Sequence, residues 1–266
     1  MRYLILSDIH ANLEALAAVI KHAEGTYDQV VCLGDVVGYG AKPRECLDIV
    51  MRLCAAEPEP LGDGTELQGG ICLQGNHEHA LLHSAEDFNP RARAAIEWTR
   101  DELWRGDEDR CKSYWNFVGG LNPRHSDGTA MFAHGSPRDP VREYMLPRDV
   151  HDVEKLRDNF ECMEAPVCFV GHSHVPAVYY EDRRFFQPQG TQGPYDLGDL
   201  DRARAIVNVG SVGQPRDGDP RLCYALFDGK YLTFVRLEYD LVAAQADIQA
   251  VEALPEELAQ RLAVGR

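Results

Sequence analysis

The stretch CFVGHSHVPAVYY, residues 168–180, places two histidines, His172 and His174, directly after a short apolar run. Alternate residues of an extended chain point to the same side, so the two imidazoles are predicted to project together. They would lie just past a buried strand formed by residues 168–170. A protein gains little stability from two adjacent titratable rings at such a place. The stretch therefore predicts a strand whose carboxyl end carries chemistry.

Outward from this stretch, apolar strands alternate with amphipathic helices over the first two thirds of the chain. Residues 3–6 form a buried strand, and the helix at 11–24 has Asn12 as its predicted N-cap. The buried face of that helix is predicted to consist of Leu13, Leu16, Ala17 and Ile20. Further strands are predicted within 29–35, 71–79 and 129–135, and helices at 42–54, 90–105, 109–117 and 148–160. Residues 55–70 read as a polar loop rich in Pro and Gly.

After residue 175 the pattern changes to short strands separated by turn residues, which is typical of an antiparallel or mixed sheet. The predicted strands lie within 176–180, 183–187, 203–211, 221–228 and 231–239, and the Asp-Gly of FDGKY (227–231) predicts a hairpin. The end of the chain reads as two short helices broken at Pro255. We expect an α/β fold of two packed sheets flanked by helices. We expect one domain over 1–266, with a helical insertion around 88–120 and C-terminal helices at 240–264.

The charge balance restricts the partners. Lys and Arg total 27 against 43 Asp and Glu, a formal net charge of −16, which disfavours nucleic acid and anionic membranes as binding surfaces. The eight cysteines show no C-x-x-C spacing and read as reduced core residues. No stretch has the length of a signal peptide or a membrane span. These features predict a soluble cytoplasmic protein, and they leave self-association open.

Five apolar strands end in the strings SDIH, LGD, QGNHE, AHG and GHSH. In open α/β sheets the carboxyl ends of the strands form the ligand crevice. A single Asp or His at a strand end is usually a turn residue or a solvated ring, but five such ends together predict a metal site. The residues that they supply are Asp8, His10, Asp35, Asn76, His77, His134, His172 and His174.

The mixture of carboxylate, amide oxygen and imidazole suits Mn²⁺, Fe, Zn²⁺, Ni²⁺ or Co²⁺ better than Mg²⁺. Seven candidate ligands exceed the four of one tetrahedral site. One bridging carboxylate would allow seven residues to hold two ions with four ligands each. Two ions that act on one phosphate lie about 3.5–4 Å apart, so we expect His172 and His174 to serve different metals.

The motifs D-x-H, GD, GNHE, HG and G-H-x-H, in this order across residues 4–174, resemble the calcineurin-like metallophosphoesterase superfamily. NVGSVGQPRDGDPR (208–221) and EYDLVAAQADI (238–248) further resemble a compact bacterial and archaeal branch of it. The resemblance implies a four-layer αββα sandwich with a dinuclear site at one edge.

By motif position, the resemblance also implies roles for the individual residues. The first metal would be held by Asp8, His10 and His174, the second by Asn76, His134 and His172. Asp35 would bridge, and His77 would be the catalytic histidine outside the metal ligands. The implied reaction is hydrolysis of a small phosphate ester by a hydroxide that bridges the two ions, with His77 stabilising charge or donating a proton.

The substrate is constrained by two departures from the serine/threonine protein phosphatases of this superfamily. Gly38 and Tyr39 replace an Asp that would orient the catalytic histidine and an Arg that would grip phosphate, and Gln74 replaces a second Arg. Loss of these cations disfavours a dianionic monoester, so we expect a phosphodiester, with a nucleotide-like small molecule as the substrate. A protein phosphatase or other phosphomonoesterase, and a non-catalytic metal-binding scaffold, remain as alternatives.

Three residues are candidate substrate contacts: Arg216, Ser211 and Tyr39. Arg216 would supply the missing cationic contact; the alternative is a tight turn in which it pairs with Asp217 or faces solvent. His79 and His83 have helical i, i+4 spacing that can bind zinc, but without further ligands they indicate a helix surface. Trp98, Trp104 and Trp115 indicate packing of the inserted helices rather than a base-stacking platform.

Overall fold

The computed structural model describes residues 1–56, 67–200 and 202–266. Most of the loop predicted at 55–70 lies outside these residues. The strands in this part of the chain are β1 Tyr3–Leu6, β2 Gln29–Cys32, β3 Ile71–Cys72, β4 Arg124–Ser126, β5 Ala130–Ala133, β6 Val167–Val170, β7 Ala177–Tyr180, β8 Phe185–Phe186, β9 Gln192–Asp196, β10 Ala205–Asn208, β11 Leu222–Phe227 and β12 Tyr231–Leu237.

The α-helices are α1 Leu13–Ala23, α2 Pro43–Leu53, α3 Asn76–Leu82, α4 Pro90–Leu103, α5 Glu108–Gly119, α6 Val153–Glu161, α7 Leu241–Gln249 and α8 Glu257–Gln260. Short 3₁₀ helices at Pro147–His151 and Arg261–Val264 precede α6 and follow α8. Within the described ranges, no helix is long and apolar enough to cross a bilayer.

The strands form two mixed six-stranded sheets. Their orders are β3-β2-β1-β11-β12-β9 in the first sheet and β4-β5-β6-β10-β7-β8 in the second. Strands β1, β2 and β3 are mutually parallel, as are β5, β6 and β10 in the other sheet. The carboxyl ends of the parallel strands in each sheet therefore lie at one edge, where the crevice forms.

Alternation along the strands shows how the two sheets pack. In β1, Tyr3 and Ile5 join an apolar core shared with Phe169 and Val207 of the second sheet, while Leu4 and Leu6 face the layer of α1 and α2. In β6 the odd positions face that shared core and the even positions face α6. Each sheet is buried on both faces. The result is the predicted four-layer αββα sandwich.

Several local predictions need correction. Ala17 is exposed, and the buried face of α1 is centred on Ala15, Leu16 and Val19; Asn12 does cap the helix, accepting from the Ala15 amide at 3.1 Å. Strands β4 and β9 were not predicted, since β4 is polar and β9 contains Gly-Pro, which normally interrupts a strand. Trp98 is buried, as expected of a packing residue, whereas Trp104 is 56% exposed and stacks on Trp115.

Helices α4, α7 and α8 pack together beside the crevice. Their cluster contains Trp98, Ile248, Leu258 and Leu262, and it also includes Tyr39, which comes from the loop after β2. The C-terminal helices therefore reach the neighbourhood of the strand ends.

Candidate metal centre

Seven side chains from five strand ends converge at the crevice, and we call them the donor cluster. Its members are Asp8, His10, Asp35, Asn76, His134, His172 and His174. All except the partly buried Asn76 are at most 4% exposed. They are the seven residues that the sequence nominated as metal ligands.

The first group of donor atoms lies around His10. Its Nε2 is 3.2 Å from His174 Nε2, 3.8 Å from Asp8 Oδ1 and 3.7 Å from Asp35 Oδ2. His174 Nε2 is also 3.1 Å from Asp8 Oδ1. Four donor atoms therefore surround one small volume.

The second group of donor atoms lies around His134. Its Nε2 is 3.0 Å from Asn76 Oδ1, 3.0 Å from His172 Nδ1 and 3.4 Å from Asp35 Oδ2. Asp35 Oδ2 thus belongs to both groups, the arrangement that one bridging carboxylate requires. Its other oxygen, Oδ1, accepts from the His77 amide at 2.9 Å, which fixes the carboxylate.

Backbone carbonyls set which ring nitrogen of each histidine faces the cluster. His10 Nδ1 lies 3.1 Å from the Val37 carbonyl and His172 Nε2 lies 3.1 Å from the Arg142 carbonyl; the carbonyl of Gln214 accepts from His174 Nδ1. When these nitrogens donate, the opposite nitrogens present lone pairs to the interior. Lone pairs facing one another at about 3 Å repel, and a cation between them removes the repulsion. The donor set therefore fits divalent metal ions.

The electrostatics agree with this fit at every titratable donor except His134. Burial opposes ionisation of Asp8 and Asp35, but the neighbouring imidazoles hold the pKa of both carboxyls below the usual range. Burial lowers the pKa of His10 and His174, and that of His172 to about 3. His134 differs, because burial is outweighed by Asp35 and Asp8, which raise its pKa to about 9.

The backbone at the centre is strained. Eight non-glycine residues of the described chain have positive φ, and seven of them lie at the crevice. They are Asp8, His10, Ala11, Asp35, Tyr39, His172 and His174. A left-handed conformation costs an L-residue about 1–2 kcal/mol, and such strain concentrates at functional sites.

His77 lies beside the donor cluster. Its Nε2 is 3.9 Å from Asp35 Oδ2, and together with His10 and Asp35 it forms a third grouping of close donor atoms. Its Nδ1 has no hydrogen-bond partner in the described structure. Gly38 explains this absence, because a Cβ at Gly38 would lie 2.0 Å from that nitrogen.

Packing, rather than a carboxylate, therefore orients the His77 ring. Ring centroids of His10, Tyr39 and Phe88 lie at 4.7, 4.6 and 5.2 Å from it. Burial lowers the pKa of His77 to about 4, and Arg216 contributes in the same direction.

Glu78, the last residue of the GNHE motif, has a structural role that the motif alone does not indicate. Its buried carboxylate accepts from the amides of Asp35, Val36 and Gly75 at 2.8–2.9 Å. It thereby ties the loop after β2 to the start of α3, which carry Asp35 and Asn76. Burial and Asp35 raise the pKa of Glu78 to about 7.

The centre opens into a pocket of about 330 Å³, whose lining includes His77, Tyr39 and Arg216. Arg142 and Tyr144, which the sequence analysis did not single out, also line it, and the Tyr144 ring stacks on His172 at 3.7 Å. The pocket thus offers two guanidinium groups. A basic residue shortly after the HG motif was the available signal for Arg142.

The tight-turn alternative had Arg216 either paired with Asp217 or facing solvent. The pairing with Asp217 is wrong. Asp217 is bound by the buried Arg236, while an Arg216 nitrogen donates to Gln214 Oε1 at 2.8 Å. The Arg216 amide donates to the His174 carbonyl at 3.2 Å. The loop after β10 is therefore anchored from two sides and turns Arg216 toward the pocket.

Ser211 was expected to contact substrate, and the structure contradicts this. Ser211 is fully buried. Its hydroxyl donates to the Asp8 carbonyl at 2.9 Å and accepts from the Gln214 amide at 2.8 Å. Both capacities are used within the protein, so Ser211 holds the loop in place.

His79 lines the pocket wall and its ring lies 4.5 Å from that of His83, but no further ligand joins this pair in the described residues.

Comparison with known proteins gives a consistent result. The family model for the calcineurin-like phosphoesterase superfamily domain matches residues 1–231. An uncharacterized protein of Methanocaldococcus jannaschii is 33% identical over 268 residues, covering 98% of this chain and 97% of its own.

Two solved structures resemble the whole chain. A metallophosphoesterase from Sphaerobacter thermophilus has 38% identity and a TM-score of 0.78, over 100% of this chain and 99% of that one. A hypothetical protein from Pyrococcus horikoshii has 18% identity and a TM-score of 0.74 over 100% and 98%, a likeness of fold alone.

Proposed function

Since the chain belongs to the calcineurin-like phosphoesterase superfamily, we propose that it is a phosphoesterase with two divalent cations that hydrolyses a small phosphodiester. One observation carries this proposal: two groups of metal-capable donor atoms share a single oxygen, Asp35 Oδ2. A scaffold without catalytic function has no need of two such groups opening into a pocket.

In this proposal Asp8, His10 and His174 would hold one ion, Asn76, His134 and His172 would hold the other, and Asp35 would serve both. Imidazole and oxygen donors of this kind suit Mn²⁺, Fe, Zn²⁺, Ni²⁺ or Co²⁺. When bound, two such cations make water a nucleophile near neutral pH and neutralise charge on phosphate oxygens.

The chain's own residues bind and orient the substrate. Arg216 presents a fork of donors that suits a phosphate oxygen, and its anchored loop holds it at the pocket. The His77 ring, fixed by three aromatic neighbours, lies where one of its nitrogens can hydrogen-bond a substrate or leaving-group oxygen. Tyr39 forms one wall and orients both of these groups by contact.

A phosphodiester is favoured by the pocket walls. The aromatic rings of Tyr39, Phe88 and Tyr144 line a space of about 330 Å³, within the usual range for small-molecule sites. Inorganic phosphate alone fills little of it, so the remaining space accommodates the organic substituents of a diester. Aromatic walls favour planar groups, such as a nucleobase.

A phosphomonoesterase is the second candidate, because Arg142 and Arg216 both line the pocket. Two guanidinium cations would stabilise a dianionic monoester more than a monoanionic diester.

Substrate comparison tests the proposal. The protein is stripped of metal, reloaded with Mn²⁺ and assayed with bis-p-nitrophenyl phosphate and p-nitrophenyl phosphate. We expect turnover only after reloading, with kcat/KM about tenfold higher for the diester. A higher value for the monoester would favour the second candidate. Absence of turnover on every ester tested, with two metals bound, would favour a metal-binding scaffold.

We further propose a cytoplasmic setting and a small-molecule partner. The net charge of −16 supports this, since a nucleic acid or an anionic membrane would be repelled. We also propose that residues 1–266 form a single domain. Self-association of the chain is compatible with this proposal.

A further inference from the structure

Two guanidinium groups lie over the ring of Tyr39. Arg216 Cζ and Arg261 Cζ each lie 5.7 Å from its centroid. Arg216 comes from the loop after β10, whereas Arg261 begins the 3₁₀ helix Arg261–Val264. That helix lies beyond residues 1–231, the range of the family match.

Neither guanidinium is neutralised by a side-chain carboxylate in the described structure. Arg261 donates through Nε to a main-chain oxygen of Arg266, the last residue of the sequence, and Arg216 donates to the side-chain amide oxygen of Gln214. Arg261 is half-buried, and burial together with Arg216 lowers its pKa to about 10. Holding a partly desolvated cation close to other cations is unfavourable, and an anion bound nearby would offset that cost.

A surface depression of about 890 Å³ surrounds Arg261. It shares Tyr39 and Asn89 as walls with the catalytic pocket, and Arg91 and Arg266 also line it. Its only acidic lining residue among those described is Glu257, which pairs with Arg91 at 3.3 Å. The three arginines therefore form a net positive patch in a chain of net charge −16, and this patch adjoins the pocket through Tyr39 and Asn89.

We propose that Arg91, Arg261 and Arg266 form an outer anion subsite that binds a second phosphate group of the substrate. This inference rests on the proposed function and narrows it. The substrate class becomes a small phosphodiester whose organic part carries another phosphate, with Tyr39 between the two anions. Arg261 is the central specificity residue, because among these three arginines its guanidinium lies over the Tyr39 ring and its side chain is the least exposed.

The scale of the site fits one substrate. Two contacts, of 5.7 Å and 4.6 Å, connect Arg261 through the Tyr39 ring to His77. An arginine that only packed on Tyr39 would affect stability without distinguishing substrates. An arginine that binds a second phosphate would distinguish substrates that carry it from those that do not.

A matched pair of esters tests the subsite. Thymidine 5′-(p-nitrophenyl phosphate) and its 3′-phosphorylated form release the same p-nitrophenol from the same diester, and differ by one phosphate. We expect the wild-type protein with Mn²⁺ to show a KM about tenfold lower for the doubly phosphorylated ester. Arg261→Gln should remove this preference while leaving the singly phosphorylated ester within about twofold, and Arg261→Lys should keep part of it.

Arg184→Gln is the matched control, since Arg184 also lies over a tyrosine ring, Tyr180, at 4.2 Å, and lines neither cavity. It should retain the preference. Normal turnover of both esters by the wild type with equal KM values, or a preference that survives in Arg261→Gln, would overturn the subsite and leave the phosphoesterase standing.

Binding measurements keep the two proposals separate. Calorimetry with thymidine 3′,5′-bisphosphate and thymidine 5′-monophosphate needs no turnover. If neither ester is hydrolysed, the proposed function fails, and tighter binding of the bisphosphate that is lost in Arg261→Gln would still support the subsite. Equal binding of the two nucleotides would overturn it, whether or not Arg261→Gln folds.

Discussion

The donor cluster and the outer anion subsite lie on the two sides of His77 and Tyr39, and they are built differently. In the donor cluster, backbone groups fix short side chains: Asp35 is held by the His77 amide and His10 by the Val37 carbonyl. In the outer subsite, long arginine side chains reach in from α4 and the C-terminal segment. The donor cluster is buried, whereas the arginines of the outer subsite are half-buried or exposed. In the proposed function, catalytic chemistry and substrate choice are therefore carried by separate parts of this chain.

The largest effect should come from Asp35→Asn. Since Asp35 Oδ2 belongs to both donor groups, its loss should weaken both metals and lower kcat/KM by about 10⁴-fold or more. Metal analysis after Mn²⁺ loading checks this. Asp8→Asn is the comparator, because Asp8 belongs to one group only and should cost one metal equivalent. Two full equivalents in Asp35→Asn would disprove the shared ligand.

His77 lies at the boundary between the donor cluster and the outer anion subsite, and we consider the variant His77→Ala. The variant should keep about two metals and lose about 10²–10⁴-fold in kcat, the range for a positioned proton donor or acceptor. His83→Ala, a histidine outside both regions, should behave as the parent. A drop to one metal in His77→Ala would make His77 a ligand and extend the donor cluster to eight residues.

Arg216→Ala should have a smaller effect, because it removes one hydrogen-bonding contact and leaves the metals in place. We expect kcat/KM to fall about tenfold to a hundredfold, or roughly 1.4–2.7 kcal/mol, at unchanged metal content. Arg216→Lys should recover part of the loss, since it restores the charge without the fork. Unchanged kinetics on both ester classes would limit Arg216 to packing on Tyr39.

The smallest expected effect is the change in the free energy of unfolding when the backbone strain at Ala11 is relieved. Ala11 has φ 51° and is buried next to His10, whereas Ala15 is a buried residue within α1. Ala15→Gly should lower the free energy of unfolding by about 1.5–2 kcal/mol, from helix propensity and a lost methyl group. Ala11→Gly should cost less than about 0.5 kcal/mol, because relief of the left-handed strain offsets those losses. Equal costs in denaturant titrations would show that Ala11 is unstrained.

The donor cluster could be predicted from the sequence, whereas the outer anion subsite could not. Ligands follow strand ends, and parallel strands bring their carboxyl ends to one edge, so short apolar runs were enough to place Asp8, Asp35 and His134 near one another. Two packed sheets flanked by helices followed from the order of strands and helices, and the four-layer αββα arrangement followed from the resemblance to the superfamily.

Tertiary packing decided the rest. Glu78 binds amides from two loops that are distant in sequence, and Arg261 reaches the site only because α8 packs beside Tyr39. The Ser211 hydroxyl suggested a substrate contact, but it donates to the carbonyl of Asp8, which is distant in sequence and which no local pattern reveals. Strand β9 forms despite its Gly-Pro because β12 pairs with it.

The order of strands in the first sheet has a consequence for synthesis. Strand β1, whose end carries Asp8 and His10, pairs with β11 through residues as distant as Leu4 and Leu226. At about 5–20 residues per second, roughly 10–45 s pass on the ribosome between the two. One edge of β1 stays open throughout, and open edges pair with other chains. We therefore expect the yield of this protein to depend on what shields its first strand during translation more than on the stability of the finished sandwich.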